Sequence, residues 1–433
     1  MLKVYVDKQL AGSLFKPESD PNKYHFGYDE QCPPQSAVSL SMPVAHEHYT
    51  SDYKALHPVF DMNLPEGALA DRLRKEFSKV IPNFDALALL KIVGKSQIGR
   101  LRFAMPGEGM ADVPTENLND LLAHDGAEGL FESLLCRYAV YSGISGAMPK
   151  VMVRATPRGD ALSRMTHRGA THIVKAWTDE YPRLAENEYF CMRAAMHAKL
   201  EVPNFELSKG GKFLVVERFD LKNEDYLGFE DFCVLNGKTA SQKYDSSYES
   251  VTKRIKDFVS PEQVRPALES FFKALALSCA LKNGDAHLKN FGVLYDNTES
   301  AVRLSPIYDL VTTTVYKPTD ILALTFGGTK RWPKTKALMA FARTHCNITD
   351  GRARALLGDV AQGVLHAVNE ATLYMHNHAS FREVGTVMLT EWNKGLNLSI
   401  QPEGQPETFA IPDYQAQDSG DTAAARLTLL SKE

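Results

Sequence analysis

The apolar and polar positions of the first hundred residues alternate between strand-like and helix-like patterns. Leu2 to Val6 and Val38 to Met42 alternate as strands do, whereas Ala68 to Val80 and Phe84 to Ile92 favour helices. Gly99 to Met105 returns to a strand pattern. A period of two is typical of half-buried strands, and a period near 3.6 is typical of amphipathic helices. This part of the chain therefore predicts a small α+β unit.

A second strand-rich segment lies in the middle of the chain and precedes a mainly helical one. β-branched runs at Val151 to Ala155 and Thr171 to Ala176 come before a helical pattern, Ala185 to Leu200, and a further strand, Phe213 to Phe219. From about residue 250 the pattern is helical, apart from a pair of strands near Asn290. A small mixed lobe followed by a helical lobe predicts a two-lobed fold with a cleft between the lobes.

Stretches rich in Gly and Pro suggest where these units meet. Residues 106–125 are rich in Gly, Pro and Asp and predict a linker. Residues 401–421 are rich in Pro, Gln, Asp and Gly and predict a mobile extension at 401–433. We therefore expect an α+β protein in five parts. They are an N-terminal α+β subdomain at 1–105, the linker at 106–125, a small lobe at 126–225, a helical large lobe at 226–400 and the extension at 401–433.

The charge balance argues against a chain that binds nucleic acid through overall positive charge. The 433 residues carry a formal net charge of −4. Lys253, Arg254 and Lys256 form a local basic strip, for which the plainer interpretation is a solvated helix face. We therefore expect DNA association, if any, to come through a basic partner.

The cysteines and the apolar runs indicate a compartment. Six cysteines lie far apart without a Cys-x-x-Cys pair, most of them in apolar surroundings, which predicts buried free thiols in a reducing environment. No apolar run approaches the roughly 18 residues that a membrane span needs. The sequence therefore predicts a cytoplasmic protein without membrane contact.

The chemistry is indicated by an Asp and an Asn five residues apart, Asp285 and Asn290, just after an apolar helical run from Phe271 to Leu281. Phosphoryl transfer of the protein-kinase type needs a carboxylate that accepts a hydrogen bond from the attacking hydroxyl and an amide that holds a metal ion. Asp309, after a later strand-like stretch, could complete that metal site. We expect Asp285 to be the catalytic base and Asn290 and Asp309 to bind Mg²⁺. The alternatives are a helix-capping Asp and ordinary turn residues.

The small lobe offers candidates for the nucleotide phosphates. Lys175 ends a β-branched strand, and Glu188 on the following helix could pair with it, as a kinase lysine is paired and aimed at ATP. The alternative is a surface lysine at a strand edge. Gly146, Ala147 and Lys150 lie in a segment of small residues whose backbone N–H groups could approach phosphate oxygens. A hairpin turn is the alternative for that segment.

Further candidates surround these residues. Glu217 and Phe219 close the last strand of the small lobe, where backbone groups could pair with the adenine edge and the ring could line the base pocket. Core packing is the alternative for Phe219. His287 and Lys289 lie inside the catalytic segment and could contact the nucleotide, or they could belong to a solvated loop.

Over nearly its whole length the chain resembles the HipA family, serine/threonine kinases that are toxins of bacterial toxin–antitoxin pairs. The segments that carry the resemblance span the N-terminal region and the kinase core. They are Ser39–Pro43, Phe60–Pro65, Ile98–Gly99, Ser145–Lys150, Thr171–Lys175, Asn187–Tyr189, Val216–Asp220, Asp285–Phe291 and Tyr308–Asp309. The resemblance implies a kinase that uses ATP and Mg²⁺, with Lys175 holding the phosphates, Asp285 as base, and Asn290 with Asp309 on the metal.

The resemblance also implies partners. A HipB-like helix-turn-helix antitoxin dimer would neutralise the toxin and bring it to operator DNA, which agrees with the acidic charge of this chain. The targets that the family implies are translation components, notably aminoacyl-tRNA synthetases.

Two positions depart from the family pattern. Met148 stands where the family often carries Gln, so a polar contact of the loop could be missing. Gly143 stands where the family carries a serine that it autophosphorylates. Ser145 and Ser142 flank that position and are the candidates for self-modification here, Ser145 ahead of Ser142, unless this chain lacks the switch.

Two other functions are compatible with the motifs. Small-molecule kinases of the aminoglycoside or choline type use a Gly-Asp-x-His-x-x-Asn segment, which Gly284 to Asn290 fits, but they lack the N-terminal region. A kinase-like module with weak catalysis that only tethers a repressor is the third possibility.

Overall fold

The N-terminal unit is built on an antiparallel sheet of five strands in the order β4-β3-β2-β1-β5. The computed structural model describes residues 1–81, 84–109, 112–123, 129–146, 148–155, 169–223, 225–401 and residue 409. The strands of this sheet are β1 (Leu2–Val6), β2 (Gln9–Phe15), β3 (His25–Tyr28), β4 (Tyr49–Thr50) and β5 (Leu101–Ala104). Among the described residues between β4 and β5 there are three helices, namely α1 (Pro58–Asp61), α2 (Gly67–Phe77) and α3 (Ala86–Val93).

Local sequence explains these elements. Leu2, Val4 and Val6 on β1 are buried while the residues between them are partly exposed, as the period-two pattern requires. Helix α3 begins after Asp85, whose carboxylate accepts a hydrogen bond of 2.9 Å from the amide of Ala88 and so caps the helix.

The strand predicted from Val38 to Met42 does not form. Ser39 and Met42 make one isolated bridge within a turn. The Ser39 hydroxyl donates to Glu230 Oε2 at 2.6 Å, and the Leu40 amide donates to Glu230 Oε1 at 2.8 Å. The Ser-Leu-Ser alternation imitates a strand, but the polar groups turn toward a buried carboxylate instead of toward a neighbouring strand.

The small lobe contains a second sheet, ordered β6-β7-β8-β10-β9, in which only the β6–β7 pair is parallel. Its strands are β6 (Thr115–Glu116), β7 (Lys150–Ala155), β8 (His172–Ala176), β9 (Phe205–Leu207) and β10 (Phe213–Glu217), and its helices are α4 (Leu118–Ala123), α5 (Leu130–Tyr138) and α6 (Leu184–His197). The described part of the predicted linker at 106–125 thus contains a strand and a helix, because β6 extends the sheet beside β7.

One hydrophobic core serves both of these units. Buried side chains of the N-terminal sheet, such as Val4 and Phe103, belong to the same apolar cluster as Val151 and Val174 of the small lobe. The N-terminal unit therefore packs directly on the small lobe. The domain limits given above remain a prediction.

The large lobe is mainly helical, as the pattern from residue 250 predicts. Two short paired strands, β11 (Leu221–Lys222) and β12 (Asp225–Tyr226), lie at its border with the small lobe. Its own strands are β13 (Gly228–Asp231), β14 (Gly292–Tyr295) and β15 (Val302–Leu304), and its helices are α7 (Phe232–Leu235), α8 (Tyr248–Phe258), α9 (Pro261–Ala280), α10 (Thr335–Thr344), α11 (Asp350–Asn377) and α12 (Arg382–Gly395). Helix α9 crosses the centre of this core, and Trp392 of α12 is fully buried there. The long helix α11 packs against α6 of the small lobe and so joins the two lobes.

In the described residues, the state of the cysteines and the character of the helices agree with the expectations of buried free thiols and of no membrane-spanning segment. All six cysteines are free, five of them buried and Cys136 exposed. None of the helices in the described part of the chain combines the length and apolar character that crossing a bilayer requires. The extension predicted at 401–433 lies outside the described residues except for Gln401 and Phe409.

Glu230 joins the N-terminal unit to the large lobe. Its carboxylate is fully buried and, besides the two bonds from Ser39 and Leu40, accepts a bond of 2.6 Å from the Tyr295 hydroxyl on β14. Burial raises the pKa of this carboxyl group, which the three donors oppose. Three polar groups from two parts of the chain therefore depend on one side chain.

We predict that Glu230→Ala strongly destabilises the fold. The substitution leaves the Ser39 hydroxyl, the Leu40 amide and the Tyr295 hydroxyl buried without their acceptor, so the free energy of unfolding should fall by at least about 3 kcal/mol. Urea denaturation followed by circular dichroism measures the change. The exposed Glu299→Ala serves as the control and should stay within about 0.5 kcal/mol of the wild type. Equal stability of the two variants would contradict this account of the interface.

Candidate active site

The turn after α9 presents Asp285 to the cleft between the lobes. The amide of Asp285 donates to Asn283 Oδ1 at 3.0 Å, and the side-chain amide of Asn290 donates to the Asp285 carbonyl at 2.9 Å. A 3₁₀ turn over Leu288–Asn290 then leads into β14. These bonds fix the backbone between Asp285 and Asn290, so both side chains line the cleft.

Asp309 lies opposite this turn and has an unusual backbone conformation. Its φ of 59° is in the left-handed region, which costs free energy for a residue other than glycine and is frequent at functional sites. The Asn290 side-chain amide lies 3.4 Å from the Asp309 carbonyl. Although burial alone would raise it, the pKa of Asp309 is held well below its usual range by the ammonium groups of Lys175 and Lys150.

Lys175 lies between two carboxylates. Its Nζ is 2.5 Å from Glu188 Oε1 on α6 and 2.7 Å from Asp309 Oδ1. The side chain is buried, and β8 is a central strand between β7 and β10, so the interpretation as a surface lysine at a strand edge is wrong. Burial favours the neutral amine, but the two carboxylates raise the pKa of Lys175 above its usual value and keep it charged.

Lys150 on β7 stands directly opposite Lys175 in the sheet. It too is buried, and its Nζ donates to the Ser145 carbonyl at 3.3 Å. Burial lowers the pKa of Lys150, and the neighbouring charge of Lys175 adds to that effect. Two lysines therefore face the same end of the cleft, where an anion would be stabilised.

The segment before β7 forms a loop over these lysines. It follows a 3₁₀ turn at Ala139–Tyr141, so it is not the hairpin between two strands that was the alternative. Gly146 has a φ of 118°, which a residue with a side chain rarely adopts, and the position of a β-carbon there is already occupied by the Lys150 amine. Ala147 lies outside the described residues.

The two serines of this loop are in very different surroundings. Ser142 is fully buried, and its hydroxyl donates to the Tyr138 carbonyl at 2.7 Å and accepts from the Met152 amide at 2.8 Å. Ser145 is partly exposed, and its hydroxyl donates to the Glu66 carboxylate. Only Ser145 is open to the cleft in this conformation.

Gly143 is a glycine because its surroundings leave no room for a side chain. A β-carbon there would lie 2.6 Å from the carbonyl oxygen of Ser96 and 2.6 Å from the Gln97 side chain. A serine at this position could be accommodated only if the chain at Ser96 and Gln97 moved.

Glu66, at the start of α2, is a cleft residue that the sequence analysis did not identify. Its carboxylate accepts a hydrogen bond from the Ser145 hydroxyl and another, of 2.9 Å, from the Lys243 amine. Burial alone would raise the pKa of Glu66, but the bonds from Ser145 and Lys243 lower it. The N-terminal unit therefore connects the loop that contains Ser145 to the large lobe.

Tyr244, next to Lys243, is a second residue that was missed. Its hydroxyl donates to Asp285 Oδ1 at 2.7 Å. Burial, with a contribution from Asp309, raises the pKa of Asp285 to about 6, although the Tyr244 bond opposes the shift. No local motif singles out Glu66 or Tyr244, because each acts on a residue far away in the chain.

The strand end at Glu217 forms the back of the cleft. The Glu217 amide donates to the Asn204 carbonyl at 2.8 Å, so it is not available to a base edge. Phe219 lines the cleft, with its ring 5.4 Å from that of Tyr308 and 5.5 Å from that of Phe229. The ring of Phe219 is thus packed against its neighbours and also lines the cleft.

Arg218 and Asp220 make a buried ion pair beneath this strand end. Their side chains form bonds of 3.0 and 2.6 Å, and Asp220 also accepts from the Gly99 amide at 2.6 Å. Arg218 in turn donates to the Gln97 carbonyl at 2.9 Å. The pair ties the small lobe's last strand to the N-terminal unit.

His287 and Lys289 are buried, so their interpretation as residues of a solvated loop is wrong. Burial, with the charge of Lys243, lowers the pKa of His287 to about 3, and the ring is neutral. The Lys289 amine donates to the Met62 carbonyl at 2.6 Å and lies 3.1 Å from Asp231 Oδ2. It thus holds the N-terminal segment on the large lobe.

The basic strip lies on the surface of α8. Lys253 and Lys256 are exposed, whereas Arg254 donates to Asn236 at 3.3 Å and to Asp257 at 3.0 Å. This arrangement agrees with a solvated helix face.

Models of known protein families match both halves of the chain. The model of the HipA N-terminal domain matches residues 2–104, and the model of the HipA-like C-terminal domain matches residues 142–368. The candidate kinase Y4mE of Sinorhizobium fredii is 32% identical over 201 residues, 44% of this chain and 44% of that protein. A candidate kinase of Haemophilus influenzae is 29% identical over 188 residues, 40% of this chain and 53% of that protein. The matched segments thus span about half the length of these relatives.

A solved structure extends the likeness to the whole fold. It is HipA in the complex of Shewanella oneidensis HipA, HipB and operator DNA, with a TM-score of 0.65 and 18% identity over 92% of this chain and 98% of that one. The predicted α+β fold, with two kinase-like lobes, an added N-terminal unit and a helical C-terminal lobe, is confirmed. Because the C-terminal model alone matches more than half of the 433 residues, this chain is a member of the HipA family.

Proposed function

We propose that this protein is a toxin kinase that transfers the γ-phosphoryl group of ATP to a serine or threonine hydroxyl of a protein. The observation that carries the proposal is the buried Lys175 amine, held between Glu188 and Asp309 in a cleft that also presents Asp285 and Asn290. Kinases need these five side chains in these relative places. A small-molecule kinase would not account for the N-terminal unit.

The oxygen ligands fit a magnesium ion that arrives with the nucleotide. The Asn290 amide nitrogen is used by the Asp285 carbonyl, which leaves its side-chain oxygen for a cation, and Asp309 is a carboxylate kept ionised. Among the described residues no group of three or more His, Cys, Asp or Glu side chains could hold a metal ion by itself. Mg²⁺ often takes only one or two protein ligands and completes its shell with phosphates and water, and it supplies charge neutralisation there.

The chain's own residues would divide the remaining work. Lys175, steadied by Glu188, and Lys150 would direct positive charge at the phosphates, and the loop at Gly146 would offer backbone N–H groups. Phe219 would lie against the base. Asp285 would accept the proton of the attacking hydroxyl, for which a carboxylate with a raised pKa is suited.

Self-modification would occur at Ser145 rather than at Ser142 or position 143. Of these three positions, only Ser145 combines a partly exposed side chain with a place in the loop, since Ser142 is buried and Gly143 has no room for a side chain. A phosphate would add a charge of about −1.5 to −2 beside Glu66, and repulsion would drive the loop away from the cleft.

A HipB-like antitoxin and operator DNA are the proposed partners, and a translation component such as an aminoacyl-tRNA synthetase is the proposed substrate. The structural neighbour was solved as a complex of HipA, HipB and operator DNA, which supports the first part. The acidic charge of this chain agrees with DNA contact made mainly by the partner.

We predict that Asp285→Asn and Asp309→Asn each lower phosphoryl transfer by at least about a hundredfold, because one removes the base and the other a metal ligand. ADP release and phosphate incorporation from Mg-ATP measure the loss, with mass spectrometry of the wild-type product to locate the phosphate, expected on Ser145. The surface substitution Asp296→Asn is the control and should leave turnover unchanged. Turnover like that of the wild type in either variant, with the fold intact by circular dichroism, would exclude these roles.

Lys175→Met should weaken Mg-ATP binding by at least about tenfold, because a charge aimed at the phosphates is lost. Isothermal titration calorimetry gives the dissociation constant directly. Lys222→Met, which removes the lysine of an exposed pair with Asp296, is the matched control. If both variants bind Mg-ATP as the wild type does, Lys175 does not contact the nucleotide.

Operator binding should require the antitoxin. In a gel shift at physiological salt we expect weak or no specific binding by this chain alone, and specific binding once a HipB-like protein from the same genome is added. Reversing the charge of the exposed lysines, Lys253→Glu with Lys256→Glu, should change the affinity of the complex less than about twofold if α8 is only solvated. Tight sequence-specific binding by the isolated chain would contradict this division of labour.

A further inference from the structure

Tyr244 lies at the mouth of the cleft and holds the carboxylate of Asp285. Its hydroxyl donates to Asp285 Oδ1 at 2.7 Å, although 40% of the tyrosine remains exposed. Across the described part of the chain, this is the one hydrogen bond that the Asp285 carboxylate accepts. His287 Nε2 is 4.0 Å from the same oxygen, which is too far for a hydrogen bond.

Tyr244 itself is held from several sides. Its ring lies edge-on to that of His287, with centroids 5.1 Å apart. The carbonyl of the preceding residue, Lys243, accepts from the Leu288 amide at 3.2 Å, and the Lys243 amine pairs with Glu66. These contacts fix the backbone on which the phenol is mounted.

The N-terminal unit contributes a further anchor to the same segment. The Ala240 amide donates to Asp61 Oδ2 at 2.7 Å. Together with the Glu66 pair, this bond fastens the residues before Tyr244 to the unit formed by the first 105 residues. The segment therefore has little freedom to swing the phenol away from Asp285.

We propose that Tyr244 is a positioning residue for phosphoryl transfer: its hydroxyl fixes one oxygen of Asp285 and so turns the other toward the incoming hydroxyl. The inference rests on the proposed function, in which Asp285 is the base. A free carboxylate rotates about its side-chain bonds, and pre-orienting a reacting group lowers the entropy lost at the transition state. An anchored one presents the same oxygen in every encounter.

Every bond and proton in the proposed transfer step is accounted for. As the acceptor oxygen bonds to the γ-phosphorus, the bond from that phosphorus to the β–γ bridging oxygen breaks, ADP leaves, and the acceptor proton goes to Asp285. Tyr244 keeps its own proton throughout. Burial, reinforced by the Asp285 charge, raises the pKa of Tyr244 above its usual value, so the phenol stays a donor.

The competing interpretation of the same contact is that Tyr244 blocks Asp285 until substrate arrives. A block must leave when substrate arrives, which requires a segment that can move. The bonds to Asp61, Glu66 and Leu288 hold this segment in place instead. The anchoring therefore favours a permanent role beside Asp285.

Tyr244→Phe separates this role from packing, because the ring stays on His287 and only the hydroxyl is lost. With the purified full-length chain and Mg-ATP, we expect kcat for ADP release, taken from initial rates before Ser145 is modified, to fall about tenfold while KM for ATP and the melting temperature stay unchanged. Tyr138→Phe is the matched control. It loses a hydroxyl that donates at 2.7 Å to Glu116 on β6, outside the cleft, and its kcat should stay within about twofold of the wild type.

Asp285→Asn in the same assay distinguishes a failure of the proposed function from a failure of the positioning role. Undiminished turnover in Asp285→Asn refutes the proposed function itself. If that variant is inactive but Tyr244→Phe turns over like the wild type, only the positioning role is refuted. Faster turnover in Tyr244→Phe would show that Tyr244 blocks the base, and phosphate on Tyr244 would show that it is an acceptor. Loss of both ATP affinity and stability would show a structural role. Each of these three results also refutes the positioning role.

Discussion

The buried ammonium of Lys175 is the group on which the geometry of the cleft depends. An unpaired charge away from water is costly, so Lys175 requires anions, and it finds one on α6 and one in the large lobe. Glu188 and Asp309 would repel each other without it. The pairing therefore draws the small-lobe sheet, its helix and the large lobe to one point. The left-handed backbone of Asp309 is tolerated at that point because the surrounding bonds determine it.

The N-terminal unit forms part of the candidate active-site cleft and also packs beside it. It shares a hydrophobic core with the small lobe. Its Gln97 carbonyl accepts a hydrogen bond from Arg218, and its Gly99 amide donates one to Asp220. Its Glu66 lies between the loop of Ser145 and the segment of Lys243. Each of these contacts joins residues that are far apart in the chain. The unit thus orders the loop that contains Ser145 and the segment that carries Tyr244 at the same time.

Sequence reasoning succeeded where the signal was local and failed where the partner was distant. A lysine on a β-branched strand followed by a helical glutamate predicted the pair of Lys175 with Glu188, and the spacing of Asp285 and Asn290 predicted their common place in the cleft. Glu66 could not be found in this way, because Lys243 is 177 positions away and no pattern links them. The false strand at Val38 to Met42 has the same cause, since the acceptor Glu230 lies 191 positions from Ser39.

The place of Glu66 bears on how the molecule could be dissected. A fragment limited to residues 142–368 would keep all the side chains proposed for chemistry, yet it would leave Ser145 and Lys243 without their shared carboxylate. It would also cut α11 before its end at Asn377 and remove Trp392 from the centre of the large-lobe core. We therefore expect the smallest unit that folds by itself to be longer at both ends than the segment that carries the proposed catalytic residues.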